Sequence, residues 1–152
     1  MTRLVMTVGN ELMGDDAAGP LLARRLSEAP IPGWTVLDCG PVPENHLHRV
    51  REMAPDLVVV VDACEMGLPP GSVRRIPEGR IAGEFFLTTH RLPLSFVLGA
   101  LRELGAEVLL VGIQPRAVAF GLPVSPEVER AVAEVYEGLR AGRPDFPWLE
   151  EG

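Results

Sequence analysis

The sequence predicts an α/β fold, a three-layer αβα sandwich with a mostly parallel sheet of about five strands. Two observations predict it. Strand and helix signals alternate along the chain, as they do in successive βαβ units. Residues 57–61 form a continuous apolar run, as expected for a central strand that is buried on both faces. The length of 152 residues suits one domain, which we predict over 1–142, followed by a C-terminal tail over 143–152 that we expect to fray.

The first strand is predicted over residues 4–8, and apolar residues at helical spacing then predict a helix over 18–29. The start of this helix is ambiguous, because either Asp15 or Asp16 could cap it. Pro20 fits only the first turn, where a missing N–H is tolerated. A cap needs one aspartate, so the second is left over.

The middle of the chain supplies three more predicted strands and a short helix. Residues 34–37 form the second strand, and a helix opens at Pro43-Glu44-Asn45 and ends at Pro55. The apolar run 57–61 is the third strand and ends at Asp62. A turn rich in Pro and Gly leads to residues 72–76, whose alternation indicates a peripheral strand.

The last third of the chain predicts two helices separated by a buried strand at 108–113. The first helix has Pro93 in its first turn and Gly105 as its stop signal. The second begins with Ser125 as its cap, followed by Pro126. The apolar faces predicted to pack on the sheet are Leu94, Val97, Leu98, Leu101 and Leu104 in the first helix, and Val128, Ala131, Val132, Val135 and Leu139 in the second.

Charge and composition exclude several classes of partner. The formal net charge of −7 argues against nucleic acid and against an anionic membrane. The longest apolar stretch without charge, residues 92–101, is shorter than the roughly 18 residues that span a membrane. The N-terminal residues also lack the pattern of a signal peptide. We therefore expect a soluble, cytoplasmic protein that is monomeric.

Three residues stand where a sheet of this kind binds ligands, beyond the carboxyl ends of its strands. Asp16 follows the first strand, Asp62 follows the central strand, and His90 precedes the helix that starts near Leu94. Two carboxylates and one imidazole suit a divalent ion such as zinc or nickel, with positions open for water or substrate. The sequence thus predicts a metal site that serves a hydrolase. On residue type alone, Asp62 could instead cap loop amides, and His90 could be a structural hydrogen-bonding group.

A nucleotide-binding loop after the first strand fits less well. The dinucleotide pattern needs glycines at offsets of two and five, and neither Thr7 nor Gly9 as a starting point provides them. The carboxylates of this loop would also repel a pyrophosphate.

Cysteine and the remaining histidines offer weaker candidates. Cys64 could act as a nucleophile with His90, but nothing in the sequence marks its thiol as activated. We expect Cys39 and Cys64 to be small buried apolar residues. His46 and His48 are two residues apart on a helix, so they face different ways and are expected at the surface.

The chain resembles the maturation endopeptidases of NiFe hydrogenases, above all the branch that processes the large subunit of hydrogenase 3, the formate hydrogenlyase type. The resemblance covers nearly the whole chain, and Thr7 and Ala17 depart from it by standing where the family commonly has Gly. The matching segments are Val8-Gly9-Asn10, Met13-Gly14-Asp15-Asp16, Ala18-Gly19-Pro20-Leu21-Leu22, Pro43-Glu44-Asn45, Val61-Asp62-Ala63, Met66-Gly67-Leu68, Pro70-Gly71, Thr88-Thr89-His90, Pro93-Leu94 and Gly112-Ile113-Gln114-Pro115.

The resemblance implies a peptidase that removes a short C-terminal extension from the large-subunit precursor after nickel insertion. It implies that Asp16, Asp62 and His90 are both the catalytic and the metal-contacting residues of an aspartyl-type endopeptidase. The nickel would be supplied by the precursor, and another divalent ion such as zinc or cadmium could occupy the site in vitro. An alternative with the same ligands is a non-catalytic chaperone that checks nickel during hydrogenase assembly.

Overall fold

One mixed sheet organises the molecule. The computed structural model describes residues 1–81 and 94–150. Within these residues the strands are β1 at Arg3–Thr7, β2 at Trp34–Asp38, β3 at Leu57–Ala63, β4 at Val73–Ile76 and β5 at Glu107–Ile113. Their order is β2-β1-β3-β5-β4, and β4 alone pairs antiparallel, at one edge. The predicted α/β class with a mostly parallel sheet is confirmed.

Helices connect the strands. In the described part of the chain the α-helices are α1 at Ala18–Glu28, α2 at Leu47–Met53, α3 at Glu78–Ile81, α4 at Leu94–Glu103 and α5 at Pro126–Arg140. Two 3-10 helices, Gly14–Ala17 and Pro43–His46, lead directly into α1 and α2. Each predicted element is present; β3 extends to Ala63, and α3 was not predicted. None of these helices has the length and apolarity to cross a bilayer.

The helices form one layer on each face of the sheet. α1 and α5 pack together on one face, and α2 and α4 pack on the other. β3 alternates between these layers: Val59 and Val61 join the core beneath α1 and α5, whereas Val58 and Val60 join the core beneath α2 and α4. All of β3 is buried, as its apolar sequence predicted.

The two predicted helix caps have different outcomes. Ser125 caps α5 as predicted, and its Oγ accepts a hydrogen bond from the Val128 N–H at 3.4 Å. The predicted cap of α1 by Asp15 or Asp16 is wrong, because the N-cap position is Ala17 and no side chain caps it. The 3-10 helix runs straight into α1, so both aspartates precede the cap position. Their side chains accept hydrogen bonds from other segments of the chain.

The C-terminal tail is packed rather than frayed, so that expectation is wrong. Phe146 and Leu149 are buried. Arg75 of the edge strand β4 donates its backbone N–H to the Pro147 carbonyl and accepts a hydrogen bond from the Leu149 N–H, both at 2.8 Å. The tail therefore covers part of the open edge of β4.

The strand order creates a crevice at one edge of the sheet. β2 and β3 lie on opposite sides of β1. After the carboxyl end of β1 the chain continues to α1, which packs on one face of the sheet. After β3 the chain leads, by way of β4 and α3, to α4, which packs on the other face. When the connections after two neighbouring strands run to opposite faces of a sheet, they leave a crevice beyond the strand ends, and folds of this kind bind ligands there.

Candidate functional site

The 3-10 helix Gly14–Ala17 lies at the carboxyl end of β1 and carries two buried aspartates. Asp15 is 1% exposed and Asp16 is fully buried. Gly9 permits this packing, since its φ is +149° and a Cβ there would lie 2.1 Å from the Asp16 carbonyl oxygen. Gly19 in α1 permits a similar approach, with an added Cβ only 2.2 Å from a backbone oxygen that follows β1. The loop is thereby held tightly against the end of the strand.

The carboxylate of Asp15 binds a segment far along the chain. Its Oδ2 accepts hydrogen bonds from the N–H groups of Arg116 at 2.8 Å and Ala117 at 3.2 Å. The Ser125 N–H donates to Oδ1 at 2.7 Å, and the Ser125 hydroxyl donates to Oδ2 at 2.9 Å. Four donors satisfy a buried charge. Asp15 is therefore a structural residue that joins the loop after β1 to the segment between β5 and α5.

Asp16 and Asp62 lie together at the crevice between β1 and β3. Asp62 belongs to β3 and is 1% exposed. Asp16 Oδ2 accepts a hydrogen bond from the Asn10 N–H at 2.9 Å, and the 3-10 helix that carries Asp16 packs against β3. The structure thus places these two predicted site residues at the same edge of the sheet.

The thiol of Cys64, two residues after Asp62, is buried and has a raised pKa. Burial raises the pKa of Cys64 well above its ordinary value, and the charges of Asp62 and then Asp16 raise it further. Its Sγ donates to the Asp62 carbonyl oxygen at 3.7 Å. Burial, aided by the charge of Asp38, likewise raises the pKa of Cys39 to about 12. Both thiols are buried, as expected, and neither is an activated nucleophile.

The prediction for His90 lies outside the described residues. Within 1–81 and 94–150, no three His, Cys, Asp or Glu side chains are grouped closely enough to hold a metal ion. The part of the predicted metal site that His90 forms therefore stays a prediction. His48 is exposed, as expected. His46 is partly buried, and this burial and the nearby Arg49 guanidinium lower its pKa.

A cleft of about 250 Å³ opens beside the loop after β1. Asn10 and Leu12 line one side, and Asp38 and Gly40 line the other. Asp38 ends β2, and its Oδ1 accepts hydrogen bonds from the Thr7 hydroxyl at 3.3 Å and the Gly40 N–H at 3.2 Å. Because the Asn10 N–H also binds Asp16, the wall of this cleft contacts the buried carboxylate. The sequence analysis missed Asp38, although an acid at the end of a strand is the signal that identified Asp62.

Comparison with known proteins identifies the family. Residues 20–140 match the HycI family model, described as hydrogenase maturation protease. The hydrogenase 3 maturation protease of Escherichia coli (strain K12) is 44% identical over 139 residues, which are 91% of this chain and 89% of that protein. This chain belongs to the HycI family of hydrogenase maturation proteases.

Solved structures of this family share the fold. The solution structure of an endopeptidase HycI from Escherichia coli has a TM-score of 0.91 at 42% identity, covering 99% of this chain and 97% of that one. The crystal structure of a NiFe hydrogenase maturation protease HycI from Thermococcus kodakarensis KOD1 has a TM-score of 0.82 at 31% identity, covering 92% and 90%. The resemblance that the sequence segments indicated is confirmed.

The two departures from the usual maturation protease sequence fit the fold without strain. Ala17 has φ −78° and ψ 2°, a region open to residues with a side chain, so Gly is not required there. Thr7 is fully buried, and its hydroxyl donates to Asp38. The loop that carries Asp16 therefore forms without either glycine.

Gln114 holds the segment that follows β3 in this maturation protease. Its Oε1 accepts hydrogen bonds from the N–H groups of Met66 at 2.7 Å and Leu68 at 3.3 Å. Its Nε2 donates to the Glu65 carboxylate, and the side chain is buried. The sequence analysis included Gln114 only within a family segment. An amide directly after a buried strand was the signal for this anchoring role.

Proposed function

We propose that this chain is a cytoplasmic, monomeric endopeptidase that removes the C-terminal extension of a NiFe hydrogenase large-subunit precursor after nickel insertion. Membership of the maturation protease family supports the class of reaction. The observation that carries the proposal is the pair of buried carboxylates, Asp16 and Asp62, at the crevice between β1 and β3. Asp16, Asp62 and His90 are the proposed catalytic residues.

The two aspartates supply the base that peptide hydrolysis needs. The carboxylate of Asp16 or of Asp62 takes a proton from water as the water oxygen attacks the scissile carbonyl carbon. The resulting carboxylic acid returns the proton to the leaving amine as the C–N bond breaks. This route needs no covalent enzyme intermediate, which suits a site whose neighbouring thiol, Cys64, is kept protonated.

The donor set fits nickel that arrives with the precursor. Asp16 and Asp62 would contribute carboxylate oxygens and His90 an imidazole nitrogen, which leaves coordination positions for groups of the substrate. An ion held there would supply Lewis-acid polarisation of the scissile carbonyl. Because thiolates hold nickel more firmly than hard oxygens do, we expect the isolated protein to bind nickel weakly. Zinc or cadmium could occupy the same residues in vitro.

Two adjoining loops, one of which lines the cleft through Leu12, carry exposed apolar side chains that suit a protein substrate. Leu12 is 58% exposed, Phe120 is 77% exposed and Leu122 is 44% exposed. The Gly121 N–H donates to the Leu12 carbonyl oxygen at 3.0 Å, so these residues form one apolar rim from two loops. Grouped exposed apolar side chains mark contact surfaces for proteins. The apolar rim supports the precursor, rather than a small molecule, as the partner.

The test compares nickel-loaded and nickel-free precursors, each incubated with this protein after removal of bound metal and followed by mass spectrometry. We expect a C-terminal fragment from the loaded precursor only. Equal cleavage of both precursors would show a peptidase that does not depend on nickel. Binding of the loaded precursor without release of a fragment would replace the peptidase by a nickel-checking chaperone.

A further inference from the structure

Glu44 is an inward-facing acid that the proposed reaction does not use. It lies in the 3-10 helix Pro43–His46, directly after the loop that follows β2. The residue as a whole is partly exposed, yet both of its carboxylate oxygens are inaccessible to solvent. Within residues 1–81 and 94–150, neither oxygen has a hydrogen-bond partner.

This placement is unfavourable unless a ligand completes it. Glutamate side chains near a surface normally keep their charged ends in water. Burying polar oxygens without donors costs on the order of several kcal/mol. Asp15, equally inward-facing, meets this cost with four donors from the chain. Among residues 1–81 and 94–150 nothing donates to Glu44, and this contrast with Asp15 favours donors from a bound molecule.

The surroundings favour N–H donors over a metal ion. No three acidic, His or Cys side chains in the described ranges form a metal-holding group, so Glu44 does not join Asp16 and Asp62 around one ion. A carboxylate with two available oxygens matches a guanidinium group, which donates two parallel N–H bonds, and it also matches an ammonium group. A basic side chain is therefore the ligand that this carboxylate fits best.

The segment that carries Glu44 directly follows residues that line the cleft. Gly40, four residues earlier, lines the cleft, and its carbonyl oxygen accepts a hydrogen bond from the Gly9 N–H at 2.9 Å. Two acidic residues, Glu11 and Asp38, line the same cleft. Their charges favour entry of a positively charged group.

We propose that Glu44 binds an Arg or Lys side chain of the precursor near the bond to be cleaved, and so helps to select the precursor. This inference rests on the proposed function. Glu44 is a specificity residue and not a catalytic one. A contact made equally before and during bond cleavage lowers KM and leaves kcat nearly unchanged.

The test uses two variants and a matched control. Glu44→Gln keeps the shape and removes the charge, whereas Glu44→Met removes the polar atoms. We expect both to unfold at the wild-type temperature or above it, because each removes an unpaired buried acid. We expect KM to rise by about 10-fold or more with kcat unchanged, as loss of a hydrogen bond between charged groups predicts. Glu52→Gln, on the exposed surface of α2, should leave KM unchanged.

The precursor side identifies the partner group. Each basic residue near the scissile bond is changed to Gln, and the partner of Glu44 is the one whose change weakens wild type but not Glu44→Gln. An unchanged KM in Glu44→Gln, a clear drop in its unfolding temperature, or a loss that no basic precursor residue shares would overturn the inference.

Precursor affinity, measured by calorimetry for wild type and the Glu44 variants, separates this inference from the proposed function. If wild type binds the precursor without cleaving it, the peptidase is rejected while the affinities still test Glu44. If wild type cleaves and Glu44→Gln matches it in both KM and affinity, the inference alone is rejected.

Discussion

The two sides of the 3-10 helix Gly14–Ala17 use the same residue type for different purposes. On the side of the 116–125 segment, four hydrogen-bond donors surround the Asp15 carboxylate and join two loops. On the side of β3, Asp16 lies with Asp62 at the crevice, where both charges act on the Cys64 thiol. Burial is nearly equal for Asp15 and Asp16, so burial alone does not separate a structural acid from one that is proposed to be catalytic. The two carboxylates differ in the groups that surround them.

The largest expected effect lies on the β3 side. Asp62→Asn and Asp16→Asn keep the side-chain shape and remove a proton acceptor. We expect precursor cleavage to slow by about 10²- to 10⁴-fold, the usual contribution of a general base. The unfolding temperature should change little, because neither change removes apolar packing. Cleavage assays and thermal unfolding of the same samples check both points, and full activity of either variant would remove that aspartate from the proposed site.

On the other side of the 3-10 helix, we expect changes at Asp15 to lower the stability of the protein. Asp15→Ala leaves the part-buried N–H groups of Arg116, Ala117 and Ser125 without their acceptor. We expect the free energy of unfolding to fall by about 3–5 kcal/mol, measured by urea denaturation. Asp15→Asn retains an acceptor oxygen and should lose less. An Asp15→Ala protein of normal stability that cannot cleave would contradict the division between the two aspartates.

The fold was predictable because its elements leave local patterns in the sequence. The apolar run of β3 and the helical spacing of α1 and α5 identified those elements without knowledge of their neighbours. The tail was not predictable in this way. Its packing depends on Phe146 and Leu149 meeting an edge strand some seventy residues earlier, at Arg75, and no local pattern encodes such a contact.

The site was predictable only in part for the same reason. Asp62 stands out because a charge directly follows four valines. Asp15 and Asp16 are indistinguishable locally, since the donors that separate them come from the 116–125 segment. The sequence analysis selected Asp16 from its position after the first strand, and the family resemblance points to the same acid. Glu44 looked like the start of a helix, and its inward turn is a matter of side-chain placement that the sequence does not show.

A smaller effect is expected at the apolar rim, which the 116–125 segment forms together with the loop after β1. Phe120→Ser removes the aromatic side chain of the apolar rim, which is also its most exposed member. We expect KM for the precursor to rise by about 5- to 30-fold, as loss of one apolar contact of about 1–2 kcal/mol predicts. kcat and the unfolding temperature should stay unchanged. Trp148→Ser, an exposed aromatic change on the tail beside β4, is the matched control. Equal losses in both variants would show that the rim is not the contact surface.

The smallest effect on cleavage belongs to Cys64, although its thiol lies near both aspartates. Because burial, Asp62 and Asp16 all raise the pKa of this thiol, almost no thiolate is present at neutral pH. Cys64→Ser should therefore cleave at nearly the wild-type rate, and alkylating reagents should not inhibit the folded protein. Loss of cleavage in a folded Cys64→Ser protein would move the chemistry from the aspartates to the cysteine.

The same raised pKa of Cys64 makes stability depend on alkaline pH. The unfolded thiol ionises near its ordinary value of 9.0, while the folded thiol stays protonated well above that. The unfolded state therefore binds fewer protons once the pH exceeds about 9, and stability falls as the pH rises further. This contribution is fully present below pH 9 and is absent in Cys64→Ser. Thermal unfolding of both proteins from neutral to strongly alkaline pH should show the steeper decline in wild type. Parallel curves would mean that the folded thiol ionises near its ordinary pKa, and so that neither burial nor the two aspartates raise the pKa of Cys64.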